Sequence, residues 1–296
     1  MPRTPAFGEV PYTEIAPPPD LAPYVDRLWL RTTLVGGDVV RVLPDGCVDL
    51  IVDARHGAAE LVGTMTRAAL VATGPAQLVA VRFRPGTATA LTGCALADLT
   101  DRSADAPDLG LACGAVADLV GAICDPTAAT RCGASHADDA GRSAREPADL
   151  RRAAPLSARI PLATADHARV AALVAWLRAR LADAAPPDAL VARAVALLST
   201  GAGRVDDVAE RLRVTRQHLA RSFRRDVGIS PKQLARIARM QRAAVALRRG
   251  GDLARLAAEL GYFDQSHLTH DLRDLAGLTP TAVAAERPIA LSHLFH

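Results

Sequence analysis

The chain has few cysteines, and their number and spacing limit its chemistry. Five occur among 296 residues. An odd number of cysteines, in a chain with no export signal, argues against a disulfide framework. Three of them precede a histidine, but gaps of ten, seven and three residues fit no compact zinc site with paired ligands. These residues are Cys113, Cys124, Cys132 and His136. We therefore predict no metal site and no cofactor.

Long hydrophobic runs are also lacking. No uninterrupted apolar stretch approaches the ~20 residues that cross a bilayer. The opening sequence, MPRTPAFGEVPYTEIAPPP, has no apolar run of the kind found in secretory signals. A composition of 50% hydrophobic and 23% charged residues is ordinary for a globular protein. We expect a protein that works in the cytoplasm and has no membrane partner.

Positive charge is concentrated in the last third of the chain. Residues 187–296 carry 17 Arg or Lys against 11 acids, a balance of +6. Residues 1–186 carry 18 against 21, a balance of −3, so the net charge is +3. A basic block of this kind indicates either a polyanionic partner or a solvated basic surface.

Six short segments rich in Val and Leu lie between residues 24 and 84. They are YVDRLWLRTTLV, DVVRVL, CVDLIVD, AELVGTM, ALVAT and LVAVRF. Their lengths, and turn sequences such as GG and PDG between them, predict β-strands. The spacing favours an antiparallel barrel or sandwich, with helical periodicity from Thr87 onwards.

The middle of the chain predicts a long connection. About thirty-five residues after Cys124 are small, polar or charged without a sustained period, which is typical of a loop. Apolar residues from Val170 to Leu181 then share one helix face, which suits packing on the same domain or a dimer seam. We predict three parts: a β-rich sensor or dimerisation domain at 1–130, a flexible loop and linker helix at 131–186, and a helical domain at 187–296.

The helical domain contains an internal repeat. Val208-Ala209 corresponds to Leu256-Ala257 at an offset of 48 residues. Further along, Gly228-Ile229-Ser230-Pro231 corresponds to Gly277-Leu278-Thr279-Pro280 at an offset of 49 residues. The second copy therefore has one residue inserted in the turn between its two halves. Each copy predicts a short helix, a tight turn and a longer helix, at about 205–228 and 252–277. In such a helix-turn-helix unit the second helix can enter a DNA major groove, and we call it the reading helix.

The segment between the two units predicts their spacing. The helix over 232–249 spans ~27 Å at 1.5 Å per residue. One chain can therefore offer two reading helices to successive grooves about 34 Å apart. Thr215 and Asp264 are candidate N-caps of these helices, while His218 and His267 are predicted to pack in the turns.

Four motifs together resemble the DNA-binding domain of AraC/XylS-type regulators over about a hundred residues. They are His218-Leu219-x-Arg221-x-Phe223-Arg224, Gly228-Ile229-Ser230-Pro231, Gly261-Tyr262-Phe263-Asp264-Gln265-Ser266-His267 and Gly277-Leu278-Thr279-Pro280. The sequence departs from that family at Leu268 and Leu272, where aromatics are usual, and at His270, where a basic residue is common. The expected fold class is α+β: a β-rich, barrel- or sandwich-like N-terminal domain with helices, then an all-α domain with two helix-turn-helix motifs.

The resemblance implies that ten residues of the reading helices contact DNA. They are Gln217, Ala220, Arg221, Arg224, Arg225, Gln265, Ser266, Thr269, His270 and Arg273. Glutamine and arginine suit base edges, and arginine also suits phosphates. For each of them a solvated helix surface is the alternative.

Three N-terminal motifs resemble a sensor-like domain found with this DNA-binding domain in bacterial regulators. They are LPDGCVDLIV, VGTMTRA and VRFRPG. The candidate ligand-binding residues there are Cys47, Asp49, Arg82 and Arg84. Strand alternation turns half of such residues to solvent, which is the competing interpretation.

The resulting hypothesis is a bacterial transcription regulator without catalytic activity. It would bind double-stranded promoter DNA and act on RNA polymerase, with a small-molecule effector and a homodimer as further expectations. An Ada-type alkylation-repair regulator would instead need a reactive cysteine, yet Asp45 and Asp49 flank Cys47 and tend to raise its thiol pKa. A third hypothesis is a constitutive DNA-binding protein whose N-terminal half only dimerises.

Overall fold

The computed structural model describes residues 12–34, 36–37, 39–109, 113–125, 163–201, 204–285 and 289–290. Most of the predicted loop after Cys124, including Cys132 and His136, lies outside these ranges. None of the described helices combines the length and the hydropathy that a bilayer crossing requires.

The N-terminal part contributes eight strands to two open sheets, and the ninth strand comes from the C-terminal part. Strands β1 to β9 are Tyr12–Ile15, Val25–Thr33, Val39–Val42, Val48–Asp53, Ala58–Val62, Ala69–Ala72, Ala76–Phe83, Ser103–Asp105 and Ile289–Ala290. One sheet has six antiparallel strands in the order β1-β2-β7-β4-β5-β8, and the other has the order β6-β3-β9. All six predicted strands are present as β2 to β7, whereas β1, β8 and β9 were not predicted.

Helices cover one face of the larger sheet. They are α1 (Thr89–Thr92), α2 (Cys113–Cys124) and α3 (Thr164–Leu181). In β4 burial alternates strictly, so Leu50 faces the same hydrophobic cluster as Leu173 and Leu177 of α3. Fully burying such a side chain stabilises the fold by roughly 1.5–3 kcal/mol. The apolar face of α3 is therefore buried against the N-terminal sheet and is not left open for a dimer seam.

Among the described residues of the C-terminal part, every element except β9 is a helix. Its helices are α4 (Ala189–Ser199), α5 (Val205–Arg211), α6 (Arg216–Asp226), α7 (Pro231–Arg248), α8 (Leu253–Glu259), α9 (Gln265–Ala276) and α10 (Pro280–Ala285). The predicted α+β class, with a β-rich part followed by a helical part, is confirmed. Helix α4 begins where the sequence predicted a boundary, because Asp188 caps it by accepting from the Leu190 N–H at 2.8 Å.

Helix α7 joins two hydrophobic clusters. Leu234 and Ile237, in its first half, pack with α4, α5 and α6. Met240, Ala244 and Leu247, in its second half, pack with α8, α9 and α10. Both helix-turn-helix units are therefore built onto the same 18-residue helix, and the prediction over 232–249 is confirmed to within one residue.

Candidate DNA interface

The first reading helix is α6, and its two faces differ in chemistry. Thr215 caps it, since its Oγ1 accepts from the His218 N–H at 3.1 Å. Leu219 and Phe223 are fully buried in the cluster around α4 and α5. The opposite face is polar and basic: Gln217, Arg221, Arg224 and Arg225 are exposed, and Ala220 is half-buried.

The second reading helix, α9, repeats this arrangement. Asp264 caps it as predicted, because its Oδ1 accepts from the His267 N–H at 2.7 Å. Leu268 and Leu272 are fully buried, so both departures from the usual aromatics keep an apolar core. Gln265, Ser266, His270 and Arg273 are exposed, and Thr269 is half-buried.

The exposed arginines fall into two groups. Within the described ranges, no carboxylate forms an ion pair with Arg221, Arg224 or Arg273. Arg225 is different, because it contacts Asp226 at 2.7 Å and Asp188 at 3.1 Å. Hydrogen bonds and charge from Asp226, followed by Asp188, raise the pKa of Arg225. Its guanidinium group is therefore engaged at the start of α4, and phosphate contact would compete with these carboxylates.

Sequence reasoning missed the residues that hold α9 against α7. Arg236 contacts Asp271 at 2.8 Å and Asp274 at 2.6 Å. The hydrogen bond from Arg236 lowers the pKa of Asp274. Arg239 lies 4.7 Å from the ring centre of Tyr262 and donates to the Gly261 carbonyl at 3.2 Å. The sequence did contain a signal for this contact. Arg236 and Arg239 are three positions apart, as are Asp271 and Asp274, so each pair lies on one helix face.

The N-terminal domain contacts both units at equivalent places, namely the C-terminal end of each reading helix. In the first unit, the Thr64 hydroxyl donates to the Val227 carbonyl at 2.6 Å, and the Thr100 hydroxyl donates to the Gly228 carbonyl at 2.8 Å. In the second unit, the Ala68 N–H donates to the Leu275 carbonyl at 2.7 Å. Arg41 Nη1 also donates to the Ala276 carbonyl, at 3.1 Å.

A third contact comes from the loop between β3 and β4. Leu43 is 1% exposed and belongs to the hydrophobic cluster around the second half of α7. The next residue, Pro44, accepts through its carbonyl from Gln241 Nε2 at 2.8 Å. The N-terminal domain thus contacts the helix that joins the two units as well as the end of each reading helix.

The candidate ligand-binding residues lie beside this loop. Arg82 is 9% exposed and binds both oxygens of Asp49, at 3.0 and 2.9 Å, and it contacts Asp45 at 3.3 Å. Cys47 is buried next to them, and its N–H donates to Asp45 at 2.9 Å. Burial, followed by the Asp45 charge, raises the pKa of the Cys47 thiol well above its usual range. The structure therefore brings Cys47, Asp49 and Arg82 together.

Arg84 takes a different position. Its Nε donates to the Ala22 carbonyl at 2.8 Å, and its Nη1 lies 3.8 Å from Asp26. The Arg84 side chain is 41% exposed, whereas Arg82 is buried.

The reading helices α6 and α9 are both capped and amphipathic, and both units pack on α7. These features define the C-terminal part of this chain as a DNA-binding domain with two helix-turn-helix units. Residues 208–286 match the helix-turn-helix domain family, and this part of the chain is an AraC-type helix-turn-helix domain. Residues 13–105 match a domain of unknown function, DUF6597.

Solved structures of AraC-family regulators show limited similarity. The C-terminal domain of AraT, a response regulator from Geobacillus stearothermophilus, is 26% identical; the match covers 36% of this chain and 93% of that chain, with a TM-score of 0.32. ToxT from Vibrio cholerae is 12% identical over 94% of this chain and 97% of its own, with a TM-score of 0.35. Wild-type ToxT bound to an unsaturated fatty acid is 11% identical over 93% and 94%, with a TM-score of 0.34. No curated protein matches this chain.

Proposed function

We propose that this protein is a sequence-specific transcription regulator that binds promoter DNA with both reading helices of one chain. The observation that supports this most is the pairing of two helix-turn-helix units on α7, each with an exposed polar edge. The 18 residues of α7 span ~27 Å, close to the ~34 Å that separates successive major grooves on one side of the duplex.

The exposed residues suggest a division of roles on DNA. Gln217 and Gln265 lie in the first turns of α6 and α9, where side chains of a reading helix meet base edges, and glutamine can pair with adenine. Arg221 suits a guanine, whereas Arg224 and Arg273 suit phosphates. Ala220, Ser266, Thr269 and His270 complete the proposed contact surface. Arg225 belongs to it only if DNA displaces Asp188 and Asp226.

Replacing Arg221 by Ala tests this function in the full-length chain. Genome-wide mapping of bound sites supplies the operator, and titration of single-base variants then measures the preference at each position. We expect Arg221→Ala to lose roughly 1–3 kcal/mol of discrimination at one base pair, because a bidentate arginine–guanine pair is lost.

Arg55→Ala is the matched control, since Arg55 is an exposed arginine in the turn between β4 and β5. This control should keep the preference of the wild-type protein at every position. If the wild-type protein binds all sequences equally well, the proposed function is wrong. Unchanged discrimination in Arg221→Ala would remove only this residue from base recognition.

We also propose that the N-terminal domain senses an effector and passes the signal to the reading helices. The division into 1–130, 131–186 and 187–296 stays a proposal, with α3 packed against the N-terminal sheet. The contacts at the ends of α6 and α9 offer a physical route, because movement of the sheet domain would act on both units at once.

Cys47, Asp49, Arg82 and Arg84 remain the proposed effector residues. An anionic effector would compete with Asp45 and Asp49 for Arg82, and release of Asp45 would loosen the loop that carries Leu43. A metabolite that shifts the melting temperature of the wild-type chain would support sensing. The absence of any shift across a broad panel would favour a constitutive DNA-binding protein with a dimerising N-terminal half.

Further partners follow from regulation at a promoter. We propose that the chain acts in the cytoplasm by recruiting or excluding RNA polymerase, and that a homodimer is one functional form.

The alternative of alkylation repair is weakened because Cys47 is 5% exposed and its thiol pKa is raised, whereas a nucleophilic cysteine needs access and a lowered pKa. Methyl transfer to Cys47 would restore that alternative.

A further inference from the structure

Phe263 is the most exposed of the large apolar side chains in the described ranges. It is 92% exposed, compared with 79% for Leu34 and 62% for Leu70. Its position is also unusual, because it directly precedes Asp264, the N-cap of the second reading helix. An aromatic ring in this place adds almost nothing to the core of the free protein.

Comparison of the two units identifies Phe263 as the inserted residue of the repeat. Arg213 and Gly261 both have positive φ, +56° and +72°. The next residue in each unit donates its N–H to the end of the preceding helix, Val214 to Ala209 and Tyr262 to Ala257. In the first unit the N-cap, Thr215, follows at once, whereas in the second unit Phe263 intervenes before Asp264. The insertion therefore projects a side chain from the turn that leads into α9.

Several contacts hold the backbone of this turn. The Phe263 N–H donates to His267 Nδ1 at 3.2 Å, and the His267 ring meets the Tyr262 ring edge to face with centres 5.2 Å apart. Arg239 binds the Gly261 carbonyl on the other side of the turn. Because these contacts already order the backbone, little conformational entropy of the main chain is lost when the ring meets a partner.

The position of the ring indicates the chemistry of that partner. The N-terminal residues of a reading helix meet base edges in the major groove. Among the groups that the four bases present there, the C5-methyl group of thymine is the apolar one, and phenylalanine is a side chain that contacts it. We infer that Phe263 determines specificity by packing on a thymine methyl group in the part of the operator bound by α9. This inference rests on the proposed function.

Uracil substitution tests the contact in the full-length protein, because it removes only the methyl group. Each thymine of the mapped operator is replaced in turn, and binding is measured for the wild-type protein and for Phe263→Ala. We expect one uracil to weaken wild-type binding by roughly two- to tenfold, in line with the burial of one methyl group. The same uracil should have no effect on Phe263→Ala, which already binds more weakly.

Two further variants serve as controls. Phe263→Leu should retain part of the sensitivity to that uracil, since it keeps an apolar side chain. Leu70→Ala removes another exposed apolar side chain, on β6, and should respond to uracil as the wild-type protein does. Because Phe263 is so exposed, Phe263→Ala should melt at the wild-type temperature.

The outcomes separate this inference from the function on which it rests. If the wild-type protein shows no preferred site, the proposed function fails. If the wild-type protein binds its operator but Phe263→Ala responds to every uracil as the wild-type protein does, Phe263 does not contact a thymine methyl group. Phe263→Ala could instead bind the operator as tightly as the wild-type protein but lose transcriptional activity. That result would assign the ring to a protein partner and also overturn the inference.

Discussion

Gly228 lies where the first helix-turn-helix unit meets the N-terminal domain. Its φ is +88°, and a Cβ at this position would lie 2.9 Å from the Leu96 carbonyl oxygen and 3.1 Å from the Thr100 hydroxyl. We expect Gly228→Ala to lower the free energy of unfolding by roughly 1–3 kcal/mol, since the new side chain meets both backbone strain and a close contact. Chemical denaturation of the full-length chain measures this change.

Gly121→Ala is the matched control for that substitution. Gly121 lies inside α2, and a Cβ there would meet nothing within 4 Å. Alanine should therefore stabilise the helix by roughly 0.5–1 kcal/mol. Equal effects of the two substitutions would contradict the role given to Gly228.

At the residue scale, the sequence predicted groups whose role depends on near neighbours in the chain. Both N-caps, Thr215 and Asp264, are confirmed because a cap binds an N–H only a few positions away. The partners of Arg82 and Arg236 were not predicted. Asp49 and Asp271 lie 33 and 35 positions from them, and the pairing depends on how distant elements pack. The ten DNA-contact residues stay predictions.

At the element scale, the cap of α9 gives a direct test. We expect Asp264→Ala to destabilise the protein by roughly 0.5–2 kcal/mol, because the His267 N–H and the positive end of the helix lose their partner. Hydrogen exchange of the first-turn amides of α9 should rise in the same variant.

Two related variants distinguish capping from a general loss of charge. Asp264→Asn should keep most of the stability, since asparagine caps helices about as well as aspartate. Thr215→Ala should increase exchange at the start of α6 while leaving α9 unchanged. If Asp264→Asn were as unstable as Asp264→Ala, charge rather than the cap hydrogen bond would be the main contribution.

The elements themselves were predicted well where their periodic pattern was long. Helix α7 was predicted over 232–249 and runs over Pro231–Arg248, where Ile237, Met240, Ala244 and Leu247 are buried. Strands β8 and β9 have only three and two residues, too few for an alternating pattern to stand out. Their pairing partners in the sheets, not their own sequences, make them strands.

At the scale of the whole molecule, Leu43 tests whether the two domains act as one. Its side chain belongs to the N-terminal chain segment but is buried among helices of the C-terminal domain. We expect Leu43→Ala to destabilise the protein by roughly 2–5 kcal/mol, because it leaves a cavity beside α7. Hydrogen exchange should then rise in α7 and α9.

Leu61→Ala supplies the comparison, since Leu61 is equally buried but lies in the cluster under the larger sheet. The cavity left by Leu61→Ala should increase hydrogen exchange in the strands of the larger sheet more than in α9. If Leu43→Ala increased exchange only in the N-terminal strands, the loop between β3 and β4 would not couple the domains.

The sequence by itself determined the local features of this protein: strand and helix periodicity, the caps, the repeat and the resemblance to AraC-type domains. These features depend on residues a few positions apart or on similarity between two stretches. Only the tertiary structure decided that the N-terminal domain contacts both reading helices, that Arg82 is already paired, and that Phe263 is exposed. Such features depend on burial and on contacts between distant residues, as with Gln241 and Pro44, which are 197 positions apart.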